Sequence, residues 1–183
     1  GGAVGDDAFG REARAFYRSE HTACLLAAKA GASTGAASIL VNASGQNQIA
    51  VAPGANLLLR KSELPARALR HARVVVTQLE ASLQASAHAL RTGKQAGAVT
   101  VLNPAPMSPD FSPALLRDVD ILIPNETEFA ALVRLLPGCR RPRFAEQELV
   151  SMSATSLHRL CRAFPVPTVI VTLGARGCFL SHA

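Results

Sequence analysis

Residues 119–132 read VDILIPNETEFAAL, an apolar run followed directly by a helix-forming segment. The apolar run predicts a β-strand that ends at Pro124, and Asn125 is placed to begin the helix behind it. Asn125 and Glu128 are three residues apart, so their side chains share one face of the first helical turn. An amide and a carboxylate are thus presented together at the carboxyl end of a strand, where ligands bind in open α/β sheets.

Two interpretations of this polar pair stay open from these residues alone. Glu128, with the backbone N–H groups of a helix start nearby, suits a hydrated Mg²⁺ ion and the phosphate groups that accompany it. The other interpretation is local: Asn125 caps the helix, and the acidic residues of its first turn stabilise the positive end of the helix. The choice depends on what the neighbouring strand ends carry.

Apolar runs alternate with helix-forming stretches along the chain, which is typical of an α/β fold. The apolar runs predict strands at residues 73–78, 98–103, 119–124 and 168–173. Helices are predicted at residues 8–18, 82–95, 113–117, 126–136 and 146–164. Near-continuous apolar runs are typical of parallel strands covered on both faces. The sequence therefore predicts a doubly wound, mostly parallel sheet with helices on both faces.

One segment interrupts this alternation. Residues 34–42 and 46–52 are extended runs with no helix between them, joined by the short Gly-containing loop 43–45. This arrangement predicts an antiparallel hairpin. Such a hairpin, inserted early in an α/β chain, often serves as a lid or a dimerisation flap. We therefore interpret residues 34–52 as a lid within one domain that spans residues 1–183.

The composition is that of a folded globular protein, with 49% apolar and 17% charged residues. The net charge of +6 comes mainly from scattered arginines, and aromatic residues are too sparse for a base-stacking surface, so nucleic acid is not an expected partner. No apolar run is long enough for a membrane-spanning helix.

The four cysteines are far apart, which argues against a zinc site or disulfide framework and favours reduced thiols in a cytoplasmic or organellar protein. Residues 137–143 are turn-rich and basic, which predicts a surface loop.

Polar side chains also follow the other predicted strands. Glu80 follows the first strand, Asn103 ends the second, and Thr172 lies at the end of the last. Because parallel strands carry their carboxyl ends at one edge of a sheet, we expect these residues and Asn125 to converge on one cleft.

The residues behind Thr172 predict a tight turn between two extended runs. Gly174 and Gly177 bracket this turn, and glycine allows bare backbone to approach a ligand. Thr172 supplies a hydroxyl, and Arg176 supplies a cation that suits a phosphate. The turn matches neither a P-loop nor the dinucleotide-binding glycine fingerprint.

Seven short motifs, taken in order, resemble one family. They are GDDAFG (5–10), STG (33–35), GAN (54–56), QLE (78–80), NPAP (103–106), DVDILIPNETE (118–128) and TLGARG (172–177). Together they resemble the ribokinase branch of the ribokinase-like (PfkB) sugar kinases, over nearly the whole chain. The resemblance implies a ribokinase-like α/β fold and ATP-dependent phosphorylation of the primary hydroxyl of D-ribose, with Mg²⁺ as cofactor.

The resemblance also implies roles for particular residues. Asn125 and Glu128 match the family's N-x-x-E motif, which serves the Mg²⁺–phosphate network, with Glu128 holding Mg²⁺ through water. Glu80 matches a sugar-contacting glutamate, and Ala37 and Ile49 fall where residues of the lid face the sugar. The family's nucleotide-binding turn is matched by Thr172, Leu173, Gly174, Ala175, Arg176 and Gly177. A homodimer that pairs lid hairpins is expected, and K⁺ is a candidate activator of the full-length protein.

Family members also carry motifs that residues 1–183 do not contain. These are a sugar-binding Asn/Asp pair with a G-G-K-G-A-N loop, and a later G-A-G-D segment that supplies the general base. We therefore expect a fragment or a truncated relative, without a catalytic base in this stretch and inactive on its own. Two alternatives stay open: a non-catalytic relative that binds nucleotide or a partner chain, and a kinase of another furanose or of a nucleoside.

Overall fold

The computed structural model describes residues 1–136, 146–149 and 151–183. The chain divides into two compact units. The first comprises Gly1–Pro65 and Glu80–Ala85, and the second comprises Ala66–Leu79 and Ser86–Ala183. The basic loop predicted at 137–143 lies outside the described residues.

The first unit begins with a strand–helix–strand motif. β1 (Gly2–Gly5) and β2 (Leu26–Lys29) form a parallel pair, and α1 (Ala8–Ser19) connects them. α1 confirms the helix predicted at residues 8–18. Neither strand was predicted, because both are only four residues long and consist largely of glycine and alanine, which have low β-propensity.

Small side chains form the core of the first unit. Ala3, Ala55, Leu59 and Ala85 are buried together, with Ala27, Ala32, Leu64 and Ala81 packed around them. Since methyl groups occupy little space, the segments of this unit lie close together, and its geometry depends on backbone contacts.

The hairpin predicted at residues 34–52 is present. β3 (Ala36–Val41) pairs with β4 (Asn47–Ala52) in antiparallel register, from Ala36 opposite Ala52 to Val41 opposite Asn47. Asn42 stabilises the turn, because its Oδ1 accepts hydrogen bonds from the backbone N–H groups of Ser44 (3.0 Å) and Gln46 (2.9 Å). All twelve strand residues are exposed to solvent.

The second unit contains a five-stranded sheet in the order β5–β6–β7–β8–β9. Its strands are β5 (Val74–Thr77), β6 (Val99–Leu102), β7 (Ile121–Leu122), β8 (Thr168–Thr172) and β9 (Cys178–His182). The first four are parallel, and β9 is antiparallel to β8. The α-helices in and around it are α2 (Ala66–His71), α3 (Leu83–Gln95), α4 (Glu126–Arg134), α5 (Glu146–Leu149) and α6 (Ala154–Cys161). The predicted α/β class, with a mostly parallel sheet and an antiparallel hairpin, is confirmed.

Burial alternates along these strands. One face of the sheet is buried and carries Val75, Thr100, Leu102, Leu122, Val169 and Val171. α3 packs closely there, because a Cβ added to Gly93 would lie 2.6 Å from Cγ2 of Val75. Among the described residues, the opposite face is less buried: Val74, Val76 and Val99 are exposed, and Val101, Ile121 and Ile170 are half-buried.

One helix prediction needs correction. Residues 146–164 were predicted as one helix, but the structure has α5 and α6, with Ser153 between them in an extended conformation. The Ser153 hydroxyl accepts a hydrogen bond from the N–H of Ser156 (3.2 Å), so Ser153 begins a new helix as an N-cap. The short helical stretch predicted at 113–117 is present as a 3₁₀ helix, Pro113–Asp118.

Asp120 joins neighbouring elements at the amino-terminal end of the sheet. Its Oδ2 accepts hydrogen bonds from the backbone N–H and the hydroxyl of the fully buried Thr100, both at 2.8 Å. Lys94 of α3 donates to Oδ1 at 3.0 Å. Burial alone would raise the pKa of Asp120, but these bonds outweigh it and hold the pKa below its ordinary value of 3.8.

Replacing Asp120 by Asn should lower the free energy of unfolding near pH 7 by about 1 kcal/mol, because three donors lose a charged acceptor that is partly screened by solvent. A carboxylate with a depressed pKa stabilises the fold above its unfolded-state pKa, and this stabilisation is lost as pH falls through the folded-state value. The difference between wild type and variant should therefore shrink below about pH 4 in chemical denaturation. Asp118→Asn removes an exposed ion pair with Arg91 and is the control. Equal losses for both variants would contradict this role of Asp120.

Candidate active site

Three of the predicted site residues lie along one edge of the second unit's sheet. Asn103 follows β6, Asn125 follows β7, and Thr172 ends β8. Backbone hydrogen bonds join these strand ends, from Asn103 N to Thr77 O (3.0 Å) and from Thr172 N to Pro124 O (2.9 Å). Adjacent parallel strands thus carry an amide, a second amide and a hydroxyl at their carboxyl ends.

The other predicted residues belong to the first unit. Glu80 is exposed, and two residues later the N–H of Ser82 donates to the carbonyl oxygen of Asn56 (3.2 Å), just beyond the hairpin. Ala37 and Ile49 lie on opposite strands of the hairpin. Their register places both on the same face, since side chains alternate along each strand. Sugar-side candidates are therefore in one unit and phosphate-side candidates in the other.

Asn125 and Glu128 form a reciprocal cap at the start of α4. Oδ1 of Asn125 accepts the backbone N–H of Glu128 (2.8 Å). Oε2 of Glu128 accepts the backbone N–H of Asn125 (2.9 Å), and Oε1 accepts its side-chain amide (3.0 Å). This is a capping box, extended by the additional side-chain bond. The structure therefore contains the helix cap of the local interpretation, and the hydrogen bonds of this cap fix the direction of the Glu128 carboxylate.

Glu128 retains one feature that a cap alone does not require. The residue is 7% exposed, so a carboxylate is held inside the protein at the edge of the sheet. Among the described residues, no three His, Cys, Asp or Glu side chains gather as a metal cluster. This donor set fits Mg²⁺ that keeps most of its water and contacts phosphate oxygens, and it does not build an all-protein cage.

The turn after Thr172 has the predicted shape. Gly174–Arg176 form a single 3₁₀ turn, Leu173 N donates to Gly177 O (2.8 Å), and Thr172 pairs with Cys178. Gly174 has φ +54° and Gly177 has φ +87°, a left-handed region that favours glycine. Among the described residues, and apart from the immediate chain neighbours, no atom lies within 4 Å of a Cβ built on either glycine. The glycines are therefore needed for backbone conformation, and the turn faces open space.

Thr77 was not singled out from the sequence. It ends β5 at the same sheet edge, and its hydroxyl oxygen is buried with no hydrogen-bond partner among the described residues. The available signal was that Thr77 is the polar residue ending the apolar run VVVT. Its burial could not be read from sequence, because it depends on what packs against the strand.

Comparison with known proteins identifies the family. A profile of pfkB family carbohydrate kinases matches residues 1–183. The chain belongs to the pfkB family of carbohydrate kinases. It is 33% identical over 180 residues to mouse ribokinase, an alignment that covers 97% of this chain and 52% of the mouse protein.

Solved structures agree with this assignment. Giardia lamblia ribokinase superposes with a TM-score of 0.80 at 32% identity, covering 100% of this chain and 55% of the other. Arabidopsis thaliana ribokinase complexed with ribose and ATP gives a TM-score of 0.73 at 27% identity, covering 99% and 56%. The pfkB-family chain therefore spans about half the length of these relatives.

The family assignment confirms the resemblance carried by the seven motifs and the ribokinase-like fold. pfkB family members are phosphotransferases that use ATP. Within the described part of this pfkB-family chain, no helix has the length and apolar character needed to cross a membrane.

Glu128→Gln should lower the free energy of unfolding by about 1–2 kcal/mol, because one carboxylate oxygen becomes an NH₂ group that faces donors of Asn125. Glu126→Gln is the matched control, since it removes the same charge from the same helical turn and should cost only about 0.5 kcal/mol. Urea denaturation monitored by circular dichroism compares the two variants. Equal destabilisation would mean that the buried cap contributes nothing beyond the charge.

Proposed function

We propose that the complete protein carrying this chain transfers the γ-phosphoryl group of ATP to the primary hydroxyl of D-ribose, forming ribose 5-phosphate. The proposal is supported by one observation above all: Asn125, Glu128 and the turn after Thr172 occupy adjacent strand ends, in a chain that matches the pfkB family throughout. The Arabidopsis relative that binds ribose and ATP supports the choice of substrates.

On the phosphate side, residues of the second unit position the nucleotide and its metal ion. The proposed nucleotide-binding residues are Asn125, Thr172, Leu173, Gly174, Ala175, Arg176 and Gly177. Glu128 orients Mg²⁺ through water, and Mg²⁺ neutralises charge on the phosphates when it is bound. Phosphoryl transfer depends mainly on positioning and charge stabilisation. The metal ion would supply the positive charge, and a carboxylate fixed by local hydrogen bonds would position that ion.

On the sugar side, the contacts come from the first unit. Glu80 accepts hydrogen bonds from sugar hydroxyls, and Ala37 and Ile49 cover the apolar face of the ring. Closure of the hairpin over a sugar would exclude water, which otherwise competes as the phosphoryl acceptor. The family's general base has no match in residues 1–183, so no residue here is assigned as the catalytic base, and this stretch alone should not turn over ATP.

A coupled assay of the complete protein tests the activity. With ATP, Mg²⁺ and ribose, sugar phosphate should form, and K⁺ should be compared with Na⁺ as an activator. Glu128→Gln should shift the Mg²⁺ titration to about tenfold higher concentration, because the carboxylate no longer holds the hydrated ion. Glu126→Gln should leave the titration unchanged. Phosphorylation of another furanose or a nucleoside in preference to ribose would replace the substrate, and no turnover with any sugar would favour a non-catalytic relative.

We also propose that two copies of the chain pair through their hairpins. Besides the sugar contacts Ala37 and Ile49, this hairpin face carries Ile39, Val41 and Val51, with Asn47 as the sixth member. Ile39 is 59% exposed and Val41 65% exposed, so the face is apolar and open to solvent. A second copy supplies an apolar surface of the same composition, as expected for a two-fold interface.

Ile39→Lys should convert the proposed dimer to a monomer, since it places charge at the middle of this face. Leu40→Lys is the control, because Leu40 is equally exposed but lies on the opposite face of the hairpin. Light scattering after size-exclusion chromatography measures the masses. A monomeric wild type, or a dimer that survives Ile39→Lys, would rule out this interface.

A further inference from the structure

The hairpin is attached to the rest of the first unit where two backbone segments, residues 33–35 and 53–55, lie side by side. We call this contact the crossing. Ala55 N donates to Ser33 O at 2.8 Å, joining the segment after β4 to the segment before β3. A Cβ added to Gly54 would lie 2.3 Å from Ser33 O, and one added to Gly35 would lie 2.7 Å from Pro53 O. Since backbone faces backbone here, a side chain at either glycine would push the two segments apart.

Asp7 holds this crossing from one side. Its Oδ2 accepts the backbone N–H of Thr34 at 2.7 Å, and its Oδ1 accepts the Thr34 hydroxyl at 2.6 Å. Oδ1 also accepts the N–H of Gly10 at 2.8 Å, which caps α1. The Thr34 oxygen accepts in turn from the N–H of Gly5 at 2.9 Å. One carboxylate thereby joins β1, α1 and the residue two positions before β3.

Two further glycines keep these segments in contact. A Cβ on Gly5 would lie 2.3 Å from Ala32 O, and a Cβ on Gly10 would lie 2.2 Å from Gly5 O. The end of β1, the first turn of α1 and residues 32–34 are therefore packed backbone to backbone. Little relative movement is available at the place where Asp7 binds Thr34.

Beyond the crossing the hairpin has little other support. All twelve residues of β3 and β4 are exposed, so the direction of the hairpin is set where it is attached. Ala37 is three residues from Thr34, and it shares a hairpin face with Ile49. A small rotation at Thr34 thus moves both of these candidate sugar contacts together.

We propose that Asp7 is a positioning residue for the lid: by fixing Thr34 it sets the direction in which the hairpin presents Ala37 and Ile49. This role rests on the proposed function, because the direction of the hairpin matters only if the hairpin closes over a sugar. Asp7 touches no reacting atom and acts through Thr34. Three donors converge on its side chain, so a carboxylate, which only accepts, is suited to the position.

The charge state of Asp7 agrees with this geometry. The hydroxyl and the backbone N–H of Thr34, followed by the N–H of Gly10, hold the pKa of Asp7 below its ordinary value of 3.8. The accepting carboxylate is therefore present throughout the neutral range in which the variants are compared.

Three substitutions in the complete protein separate positioning from capping. Asp7→Ser keeps a good N-cap for α1 but removes the second oxygen that holds Thr34. Thr34→Val keeps the side-chain shape but removes the hydroxyl and its bond to Oδ1 of Asp7, so it weakens the Asp7–Thr34 contact from the other side if Asp7→Ser fails to fold. Thr34→Ser keeps both the hydroxyl and the N–H and is the conservative control.

Amide hydrogen exchange measures how firmly the hairpin is held at the crossing, and this measurement does not require the protein to be a kinase. In Asp7→Ser and Thr34→Val the amides at the crossing, including those of Thr34 and Ala55, should exchange about tenfold faster. Amides of β6 in the second unit and of α1 beyond its first turn should keep their wild-type rates. Thr34→Ser should behave as wild type throughout.

Steady-state kinetics supplies the second measurement. The same two variants should raise KM for ribose about tenfold and leave KM for ATP within about twofold, because lid contacts reach the sugar alone. General destabilisation would instead lower the active fraction and leave both KM values unchanged.

The outcomes distinguish this proposal from the proposed function. If wild type phosphorylates no sugar, the kinase assignment fails, and the exchange rates alone decide the role of Asp7. If wild type is active but neither exchange at the crossing nor KM for ribose changes in Asp7→Ser and Thr34→Val, Asp7 only caps α1 and the positioning role is overturned. Slower exchange at the crossing in these variants would also overturn it.

Discussion

The hydrogen bonds that step across the carboxyl ends of β5 to β8 are the constraint on which the candidate phosphate site depends. Asn103 N bonds Thr77 O, Ile123 N bonds Leu102 O, and Thr172 N bonds Pro124 O. Because these bonds belong to a parallel ladder, polar residues far apart in the chain are brought to one sheet edge by backbone bonds. The chemistry at that edge is therefore a consequence of strand register.

The cap at the start of α4 shows how one set of bonds serves both stability and chemistry. Sequence alone left two interpretations of Asn125 and Glu128, a helix cap and a magnesium–phosphate site. The structure contains the cap, and the cap holds a buried carboxylate in one direction. A group already oriented by local hydrogen bonds costs little to use in binding, so the two interpretations are compatible.

The first unit is organised by backbone contacts. Its core is mostly alanine, and Gly5, Gly10, Gly35 and Gly54 lie where a methyl group would overlap a neighbouring segment. The motifs GDDAFG, STG and GAN, which the sequence offered only as a family resemblance, meet at this crossing and have a physical explanation there. Asp7 and Thr34 supply the directional bonds that a core of methyl groups cannot provide.

The sequence by itself determined the α/β class, the hairpin and the turn after Thr172, because periodicity and turn residues are local properties. It also determined the family, because the order of the motifs can be read directly along the chain. It failed for β1 and β2, whose short Gly- and Ala-rich segments are strands only because they pair with each other. The break before α6 was missed because a single serine cap interrupts an otherwise helical pattern. Tertiary structure alone decided that Glu80 and the hairpin belong to one unit and Asn103, Asn125 and Thr172 to the other, since contacts between distant segments leave no pattern in sequence. The hydrogen bonds between Thr34 and Asp7 also depend on tertiary structure, because the fold brings these two residues, 27 positions apart, within hydrogen-bonding distance.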